Sequence, residues 1–434
     1  MLHTGSRRSG YGLPAITLLG VLAAGAIIWS LGGRTGARPL ETEGADVAYR
    51  PSNRSTIEAA FARESYRPGA PARLVIFSKR VQGVSLRIFR AGTERGRIRA
   101  RDIMRGSAVT PKLRLGTLTR GGSVWVSVPR APSGLYYARL AAGKRIGFAP
   151  FVLRPARLGE HRVAEVLPTL SWQAYNRRDD DGDGEGDTWY VNQQTKHAAR
   201  LYRPYLDRGV PPNYKYYDQP FLRWLTRTER EVDYLAQTDV AGAGWRRLAA
   251  AYDLLIFSGH HEYVTRQEYD AVEGFRNRGG NLMFLSANNF YREVVIRSGV
   301  MHRGLTWREL GRPEAALVGV QYIKNDEGEH RGPYIVRTVG GVGWLFAHTG
   351  LRVGSRFGNA GIEIDKSSSS SPRGTKVVAE LPDLMGPGLT GQMTYYERGG
   401  AKVFAAGAFT FAGACLWPTN RQIMENLWNR LSAR

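Results

Sequence analysis

Cysteine is almost absent from this chain of 434 residues. With Cys415 as its single cysteine, the chain can form no internal disulfide and no cysteine-ligated metal site. Cys415 lies in an apolar, glycine-rich stretch, where a lone cysteine is more often a small core residue than a nucleophile. A glutamine amidotransferase needs a cysteine nucleophile at a strand-to-helix elbow. The residues Ser258-Gly259-His260 offer none after their strand, so that chemistry is disfavoured.

Acidic residues are also scarce. The 38 Asp and Glu residues are outnumbered by 61 Lys and Arg residues, which gives a formal net charge of +23 and a pI of about 10.3. A basic excess of this size suits a nucleic-acid binder, but the chain has no helix-turn-helix, RNP or zinc-finger signature. We therefore expect no nucleic-acid partner. The alternative is a solvated basic surface, which can rest near anionic lipid.

The N-terminal region contains an uncharged apolar run from Leu13 to Leu31, preceded by Arg7 and Arg8. This run is long enough to span a bilayer, and no clear small-x-small cleavage site follows it. The pattern predicts an uncleaved signal anchor in residues 1–34, with the basic flank inside and the rest of the chain in the cell envelope. The alternative is a cleaved signal, with Ser6-Arg7-Arg8 as a weak twin-arginine hint, and a secreted protein.

The rest of the chain divides into three regions by its pattern. Residues 35–55 are polar and without periodicity, as in a linker. Residues 56–157 contain short runs of β-formers separated by Gly, Pro and Ser, which predicts an immunoglobulin-like β-sandwich. In residues 158–434 strands alternate with helices, which predicts an α/β fold with a doubly wound parallel sheet. For example, Thr265-Arg266-Gln267-Glu268 is a capping-box sequence that opens a predicted helix.

Polar side chains follow two of the predicted parallel strands. Gly259-His260-His261-Glu262-Tyr263 comes directly after the apolar run 252–258, and Asn288 follows the next strand along the chain. Open α/β sheets bind ligands at the carboxyl ends of their strands, so His260, Glu262 and Asn288 are candidates for metal binding or proton transfer. The alternatives are a structural histidine, a surface pair between Glu262 and an arginine, and turn chemistry for Asn288.

The densest acidic cluster of the chain resembles a calcium-binding loop. Asp179, Asp181, Asp183 and Asp187 occupy positions 1, 3, 5 and 9 of such a loop, and Gly184 occupies the position of the sharp turn. Position 12 is Tyr190 rather than Glu, so a bidentate ligand would have to come from elsewhere. The loop predicts a structural Ca²⁺ site, with a solvated turn as the alternative.

Several motifs of the chain, taken in order, resemble the large (β) subunit of N,N-dimethylformamidase and its relatives. The resemblance covers roughly residues 160–415, and the order and spacing of the motifs carry it more than any single one does. The motifs are Trp172–Asn176, Arg203–Tyr205, Pro220–Leu225, Val232–Tyr234, Gly259–Tyr263 and Gly280–Asn288, with weaker support from Gly361–Asp365 and Val403–Gly407.

The resemblance implies a glutamine-amidotransferase-like α/β domain that holds one iron ion through two tyrosine phenolates and one glutamate. By motif, Glu262 is the carboxylate ligand and Tyr175 is one phenolate. Tyr205 is the expected second phenolate, with Tyr190 as the alternative because the acidic insert blurs the register. His260, Asn288 and Glu397 are the expected acid, base and polarising groups.

The expected function is therefore metal-dependent hydrolysis of amide or other C–N bonds, in which water activated by Fe³⁺ attacks the carbonyl of a small amide-like substrate. Three anionic oxygen ligands suit a ferric ion. The alternative is a non-catalytic extracytoplasmic ligand-binding protein with a structural calcium loop. The membrane is the other expected partner, through the N-terminal helix, and the sequence is compatible with a homo-oligomer.

Overall fold

The described part of the chain is a mixed α/β structure in which strands outnumber helices. The computed structural model describes residues 56–94, 96, 98–191 and 196–433. The predicted anchor, Leu13–Leu31, and the predicted linker lie outside these residues. Within the described ranges, no helix has both the length and the apolar character that a membrane span requires.

The first half of the described chain consists of β-strands in two sheets. One sheet has the order β1-β3-β7, and the other has the order β2-β9-β8-β4-β5, with β6 also paired to β4. Their bounds are β1 Ala59–Phe61, β2 Ser65–Tyr66, β3 Pro71–Ile76, β4 Arg80–Ala91, β5 Gly106–Ala108, β6 Leu113–Thr119, β7 Ser123–Ser127, β8 Gly134–Ala142 and β9 Arg145–Leu153.

Strand β8 packs into two cores, one on each of its faces. Its residues Tyr136, Ala138 and Leu140 face one way and join a core shared by both sheets. The alternate residues Leu135 and Tyr137 face the other way and pack into the core of the second half of the chain. Because both faces of this strand are covered, the β region is a packed layer of a larger body. Its immunoglobulin-like topology stays a prediction.

The second half of the described chain alternates helices and strands. Its first elements are β10 Val163–Leu167, α1 Thr169–Ala174, β11 Ala198–Arg200, α2 Asp218–Arg227, β12 Asp233–Ala236, α3 Gln237–Ala251, β13 Leu254–Phe257, β14 Tyr263–Val264, α4 Arg266–Asn277 and β15 Asn281–Phe284. Its later elements are β16 Arg292–Arg297, β17 Val300–Thr306, α5 Ala315–Val318, β18 Gln321–Asn325, β19 Arg331–Val336, β20 Arg356–Gly361, β21 Glu363–Lys366, β22 Lys376–Leu381, β23 Gly391–Arg398, β24 Ala401–Ala405 and α6 Pro418–Leu431.

A nine-stranded sheet organises this half, with the order β12-β10-β13-β15-β24-β23-β22-β19-β20. The first five strands of that order pair in parallel, and the remaining strands pair antiparallel. The prediction of a parallel sheet therefore holds for one side of the sheet only. Small sheets β11-β17-β16-β14 and β18-β21 lie outside it.

Helices cover both faces of the parallel part. Phe221 of α2 and Leu427 of α6 belong to the core on one face, and Val240 of α3 and Phe275 of α4 belong to the core on the other. Neighbouring residues of a strand point to opposite faces, so each buried strand contributes to both cores. The glutamine-amidotransferase-like identity of this arrangement stays a prediction.

Candidate functional site

The carboxyl ends of three adjacent parallel strands converge on one place. Strand β10 leads through Pro168 into α1, which ends at Tyr175, and β13 leads into Gly259-His260. Strand β15 leads to Asn288, whose backbone adopts a left-handed conformation with φ of 55°. These strands are neighbours in the order β10-β13-β15, so the residues that follow them meet at one sheet edge.

Two tyrosines and one glutamate form the centre of this cluster. The phenol of Tyr175 donates a hydrogen bond to Oε2 of Glu262 at 2.5 Å, and the phenol of Tyr190 donates to the same oxygen at 2.8 Å. The two phenol rings stack with centroids 4.3 Å apart. Three oxygen atoms from distant stretches of chain therefore lie within hydrogen-bonding distance of one another.

The acidic loop helps to place Tyr190. Arg203 is almost fully buried and donates to the backbone oxygens of Asn176 and Asp187 at 2.7 and 3.0 Å. Thr188 donates through its hydroxyl to the backbone oxygen of Ala174, at the end of α1. These bonds tie the end of the loop to α1, so the side chain two residues after Thr188 reaches Glu262.

His260 lies beside the three oxygens. Its Nε2 is 3.0 Å from the phenol oxygen of Tyr175 and 3.2 Å from Oε2 of Glu262, while its Nδ1 is 3.1 Å from the backbone oxygen of Ala287. A carbonyl oxygen can only accept, so Nδ1 carries a proton and donates it to Ala287. In the neutral ring Nε2 is then free to accept a proton.

Glu363 and Asp365 approach the same place from β21. Oε2 of Glu363 is 3.8 Å from Nε2 of His260. Both carboxylate oxygens of Asp365 accept the backbone N–H of Asn288, at 2.9 and 3.1 Å. Among the described residues, Oε2 of Glu363 and Oδ1 of Asn288 are buried and have no hydrogen-bond partner. Buried polar atoms are nearly always satisfied, so these two atoms mark a place for a ligand or water.

The pKa values of the groups in this cluster are shifted in different directions. Burial, reinforced by the negative charge of Glu262, raises the pKa of Tyr175 and Tyr190 well above the usual value for a phenol. Burial opposes the charged form of Glu262, but hydrogen bonding and charge from His260 outweigh it and lower the pKa of Glu262. Burial likewise acts to lower the pKa of His260, and the charges of Glu363 and Glu262 overcome it and raise that pKa. Burial raises the pKa of Glu363 to about 7.

The donor set fits a ferric ion. Three hard oxygen donors, two of them phenols and one a carboxylate, are the ligands that a small trivalent cation prefers, and as anions they balance its charge. The pKa values of the phenols are raised where only protein groups surround them. A nearby cation favours the charged form of an acid, so the same phenols would ionise beside it.

Two of the predicted site residues lie elsewhere. Tyr205 lines a separate cavity with Glu64, Gln173 and Arg203, and its ring packs edge-on against Trp172. Tyr190, the alternative that the sequence offered, is the tyrosine that lies beside Tyr175 and Glu262.

Glu397 is the second predicted residue outside the cluster. It lies on β23, its side chain is 53% exposed, and it pairs with Arg430 at 3.0 Å and with the phenol of Tyr395 at 2.5 Å. The structure therefore does not bring Glu397 to the cluster. Glu363, which the sequence did not single out, is the carboxylate that lies beside His260.

His261 is a structural residue. It is fully buried, and its two ring nitrogens lie 3.0 Å from the backbone oxygens of Gly259 and Val166. Burial lowers the pKa of His261 to about 3, so the ring is neutral at physiological pH. A neutral ring carries one N–H, so it donates to one of these two carbonyl oxygens and packs between β10 and the turn after β13.

In the acidic loop, Asp179, Asp181 and Asp187 each present a carboxylate oxygen within 4.8 Å of the others. Asp183 is not part of this group, and Nζ of Lys196 lies 3.4 Å from a carboxylate oxygen of Asp183 and from one of Asp187. The backbone N–H groups of Gly182 and Gly184 donate to Asp179, as a tight loop requires. Three members of the predicted calcium set thus lie together, and a lysine contacts one of them as well as the fourth. Calcium binding here stays a prediction.

The family of the chain can now be stated. Residues 122–421 match the family described as "N,N-dimethylformamidase beta subunit-like, C-terminal". The chain belongs to this family. The predicted resemblance is therefore confirmed, and the motifs around Tyr175, Glu262 and Asn288 lie within the matched region. No curated protein is significantly similar to this member of the dimethylformamidase-like family.

Three solved structures resemble parts of the chain. Spo0M, a sporulation control protein from Bacillus subtilis, is 12% identical over 23% of this chain and 48% of its own, with a TM-score of 0.15. A Paenibacillus cycloisomaltooligosaccharide glucanotransferase is 14% identical over 42% of this chain and 27% of its own, with a TM-score of 0.16. A superoxide reductase (neelaredoxin) from Ignicoccus hospitalis is 15% identical over 23% of this chain and 77% of its own, with a TM-score of 0.13. Similarities this weak carry no argument about fold or activity.

Proposed function

We propose that this dimethylformamidase-like protein is an iron-dependent hydrolase of amide or related C–N bonds in small molecules. The observation that carries the proposal is the shared oxygen: the phenols of Tyr175 and Tyr190 both donate to Oε2 of Glu262, at 2.5 and 2.8 Å. Buried hard oxygen donors in this arrangement are an unusual group to assemble for stability alone, because each must be desolvated. Family membership supports the same reading.

Tyr175, Tyr190 and Glu262 would hold the ion. When bound there, a ferric ion would polarise the amide carbonyl and acidify a water molecule. Tyr263 supports this set from behind, since its phenol contacts that of Tyr190 at 2.5 Å and accepts from Nε1 of Trp189 at 3.0 Å. Such support fixes the ligands in place before a substrate arrives.

The remaining groups of the site transfer protons or stabilise developing charge. Nε2 of His260, with Nδ1 bound to Ala287, takes a proton from the attacking water as a general base. Glu363, with a pKa raised to about 7, retains a proton that it can give to the departing amine. Asn288, whose backbone Asp365 holds, offers a neutral amide to the oxyanion that forms on the carbonyl. The envelope location, the membrane anchor and a homo-oligomer remain part of this proposal.

Metal analysis and absorption spectroscopy of the full chain test the proposed ligands. We expect about one iron per chain and a visible phenolate-to-iron band. Tyr175→Phe and Tyr190→Phe should each lose most of the band and of the iron. Tyr205→Phe is the matched control, because Tyr205 lies in another cavity, and it should keep both. Protein that stays iron-free in iron-replete medium, or a band lost in Tyr205→Phe and kept in Tyr190→Phe, would contradict the assignment.

A second pair of variants tests the proposed acid. Glu363→Gln removes the proton that the leaving amine needs, so we expect the turnover number for simple amides to fall roughly 10²–10⁴-fold with the iron retained. Glu397→Gln is the control and should turn over amides as the unchanged protein does. Equal losses in the two variants would refute the role of Glu363. Iron-loaded protein without turnover of any amide would favour the ligand-binding alternative.

A further inference from the structure

A second cleft shares no residue with the candidate metal centre. It lies where the chain leaves β9 and passes the end of α3, and its volume is about 330 Å³. Arg67, Arg154, Arg157 and Arg247 line it, and we call it the arginine cleft. Its other lining residues are Pro155, Ala156, Leu158, Ala250 and Ala251. No acidic residue is part of this described lining.

The positive charge of the arginine cleft is nearly uncompensated. Within the described ranges, the guanidinium groups of Arg67, Arg157 and Arg247 form no ion pair. Arg154 approaches Oδ1 of Asp239 at 3.5 Å. That carboxylate is already engaged, because it accepts from the hydroxyl of Ser65 at 2.7 Å and from the backbone N–H of Ala236 at 3.0 Å. Among the described residues, only one of the four cleft arginines thus has a carboxylate partner, and that carboxylate has two further donors.

The nearby helix end does not supply the missing negative charge. The last carbonyl oxygens of α3, those of Ala250 and Ala251, accept from Nη1 of Arg162 at 3.0 and 2.7 Å. Arg162 is also paired with Asp253 at 2.7 Å. A separate arginine therefore occupies the negative end of the helix dipole, so that end is not available to the four cleft arginines.

We propose that the arginine cleft is a binding site for a phosphate group, carried either by a lipid headgroup or by a small soluble phosphate. A phosphate monoester has nearly two negative charges at neutral pH and three acceptor oxygens. The planar guanidinium fork matches those oxygens two at a time. A volume of about 330 Å³ admits a phosphate with a small substituent. An ordinary solvated basic surface would show no saturable binding.

Calorimetric titration of the full chain with inorganic phosphate and pyrophosphate, at low ionic strength, tests the site. The test variant is Arg157→Glu/Arg247→Glu, which changes two exposed side chains without ion pairs and leaves Arg154 in place. The control is Arg297→Glu/Arg352→Glu, which makes the same change in net charge on two exposed arginines outside the cleft. Each lost charge-assisted contact should weaken binding about tenfold or more.

A vesicle arm distinguishes the two sources of phosphate. The same three proteins are sedimented with phosphatidylcholine vesicles, with and without phosphatidic acid, whose headgroup is a phosphate monoester, and the difference in bound fraction isolates binding to that headgroup. A cleft variant that loses this difference while the control keeps it identifies lipid as the source. A cleft variant that loses only soluble phosphate identifies a free ligand. No saturable binding to either, or equal losses in the cleft and control variants, would overturn the proposal.

Discussion

Glu64 is a buried carboxyl that lies between the two halves of the chain. Its Oε2 accepts from the hydroxyl of Thr238 at 2.7 Å, and its Oε1 is buried without a hydrogen-bond partner in the described part of the chain. Burial raises the pKa of Glu64 to about 7. The folded state therefore holds this proton over a range of pH in which the unfolded chain has already released it.

We expect Glu64 to reduce stability as the pH rises. Between its unfolded pKa of 4.5 and about 7 the folded state binds more protons than the unfolded state, so the free energy of unfolding falls across that window and stays low above it. The loss is about 1–3 kcal/mol. Urea unfolding near pH 5 and near pH 8 should show a smaller loss in Glu64→Gln. An unchanged loss in that variant would show that Glu64 is not the cause.

The sequence could predict the site residues that follow the parallel strands. His260, Glu262 and Asn288 sit next to strand ends, and strand ends of a parallel sheet meet at one edge, so their proximity follows from the pattern. Tyr175 follows the short helix α1 instead, and only the family motif predicted it. Tyr190 could not be chosen over Tyr205, because that choice depends on how the acidic loop folds back onto α1. Glu363 was missed because the path of β21 depends on pairing with β18, a contact that local sequence does not encode.

Helix α4 begins as its sequence indicates. The hydroxyl of Thr265 accepts the backbone N–H of Glu268 at 3.2 Å. The Glu268 carboxylate in turn accepts from the backbone of Thr265 and also from Nε2 of Gln237 at 3.0 Å. The local signal therefore predicts the start of the helix, and a tertiary contact adds a second partner for the side chain at its third position.

Removal of this cap should cost stability. Thr265→Ala leaves one N–H of the first turn without an acceptor, so we expect the free energy of unfolding to fall by about 1 kcal/mol. Urea unfolding measures the change. Ser369→Ala, in an exposed serine run, is the control and should stay within about 0.5 kcal/mol of the unchanged protein. A cap variant as stable as that control would contradict the assigned role of Thr265.

Gly407 shows why the chain turns after β24. Its φ is 63°, and a Cβ there would lie 1.9 Å from the backbone oxygen of Gln392. Gly374 also has a positive φ, of 87°, but a Cβ there would meet nothing within 4 Å. Both positions have a left-handed backbone, which glycine adopts without strain, and they differ in the space available to a Cβ.

Alanine substitutions at these two glycines distinguish the energetic cost of a left-handed backbone from the cost of a steric clash. We expect Gly374→Ala to lower the free energy of unfolding by about 1–2 kcal/mol, from the left-handed backbone alone. Gly407→Ala should lower it by about 3 kcal/mol or more, because the neighbouring strand must also move. Thermal and urea unfolding of both variants measure the difference. Equal losses would mean that the strand beside Gly407 yields easily.

The antiparallel half of the large sheet was not predictable from local pattern. Its strands β19, β20 and β22 pair across long connections, and the glycine-rich sequence after residue 300 indicates only β structure. The alternation of strands and helices in the sequence predicts that parallel strands will pair. The register of these antiparallel strands depends instead on long-range contacts that form as the chain folds.

At the scale of the whole molecule, the two halves share a core. Tyr137 of β8 is buried, stacks on Phe89 with ring centroids 5.4 Å apart, and belongs to the same apolar cluster as Phe221 and Trp224 of α2. The described residues also form one compact unit. Neither half can unfold without exposing the apolar face of the other.

We therefore expect calorimetry to record a single unfolding transition for both halves. Tyr137→Ala should lower the temperature of that transition by several degrees, because it opens a cavity at the junction. Leu113→Ala, at a side chain on the β6 surface that is 47% exposed, is the control and should barely shift it. Two resolved transitions, with only one of them moved by Tyr137→Ala, would show that the halves melt independently.

The phenols that share one oxygen of Glu262 also govern how a cation could enter. Each phenol must give up its hydrogen before it can ligate, so uptake of one ion would release two protons to the solvent. Low pH would then favour the three hydrogen-bonded side chains without iron, and high pH would favour the site with iron bound. The pH of the compartment, together with the supply of iron, would therefore set the fraction of molecules that hold the metal.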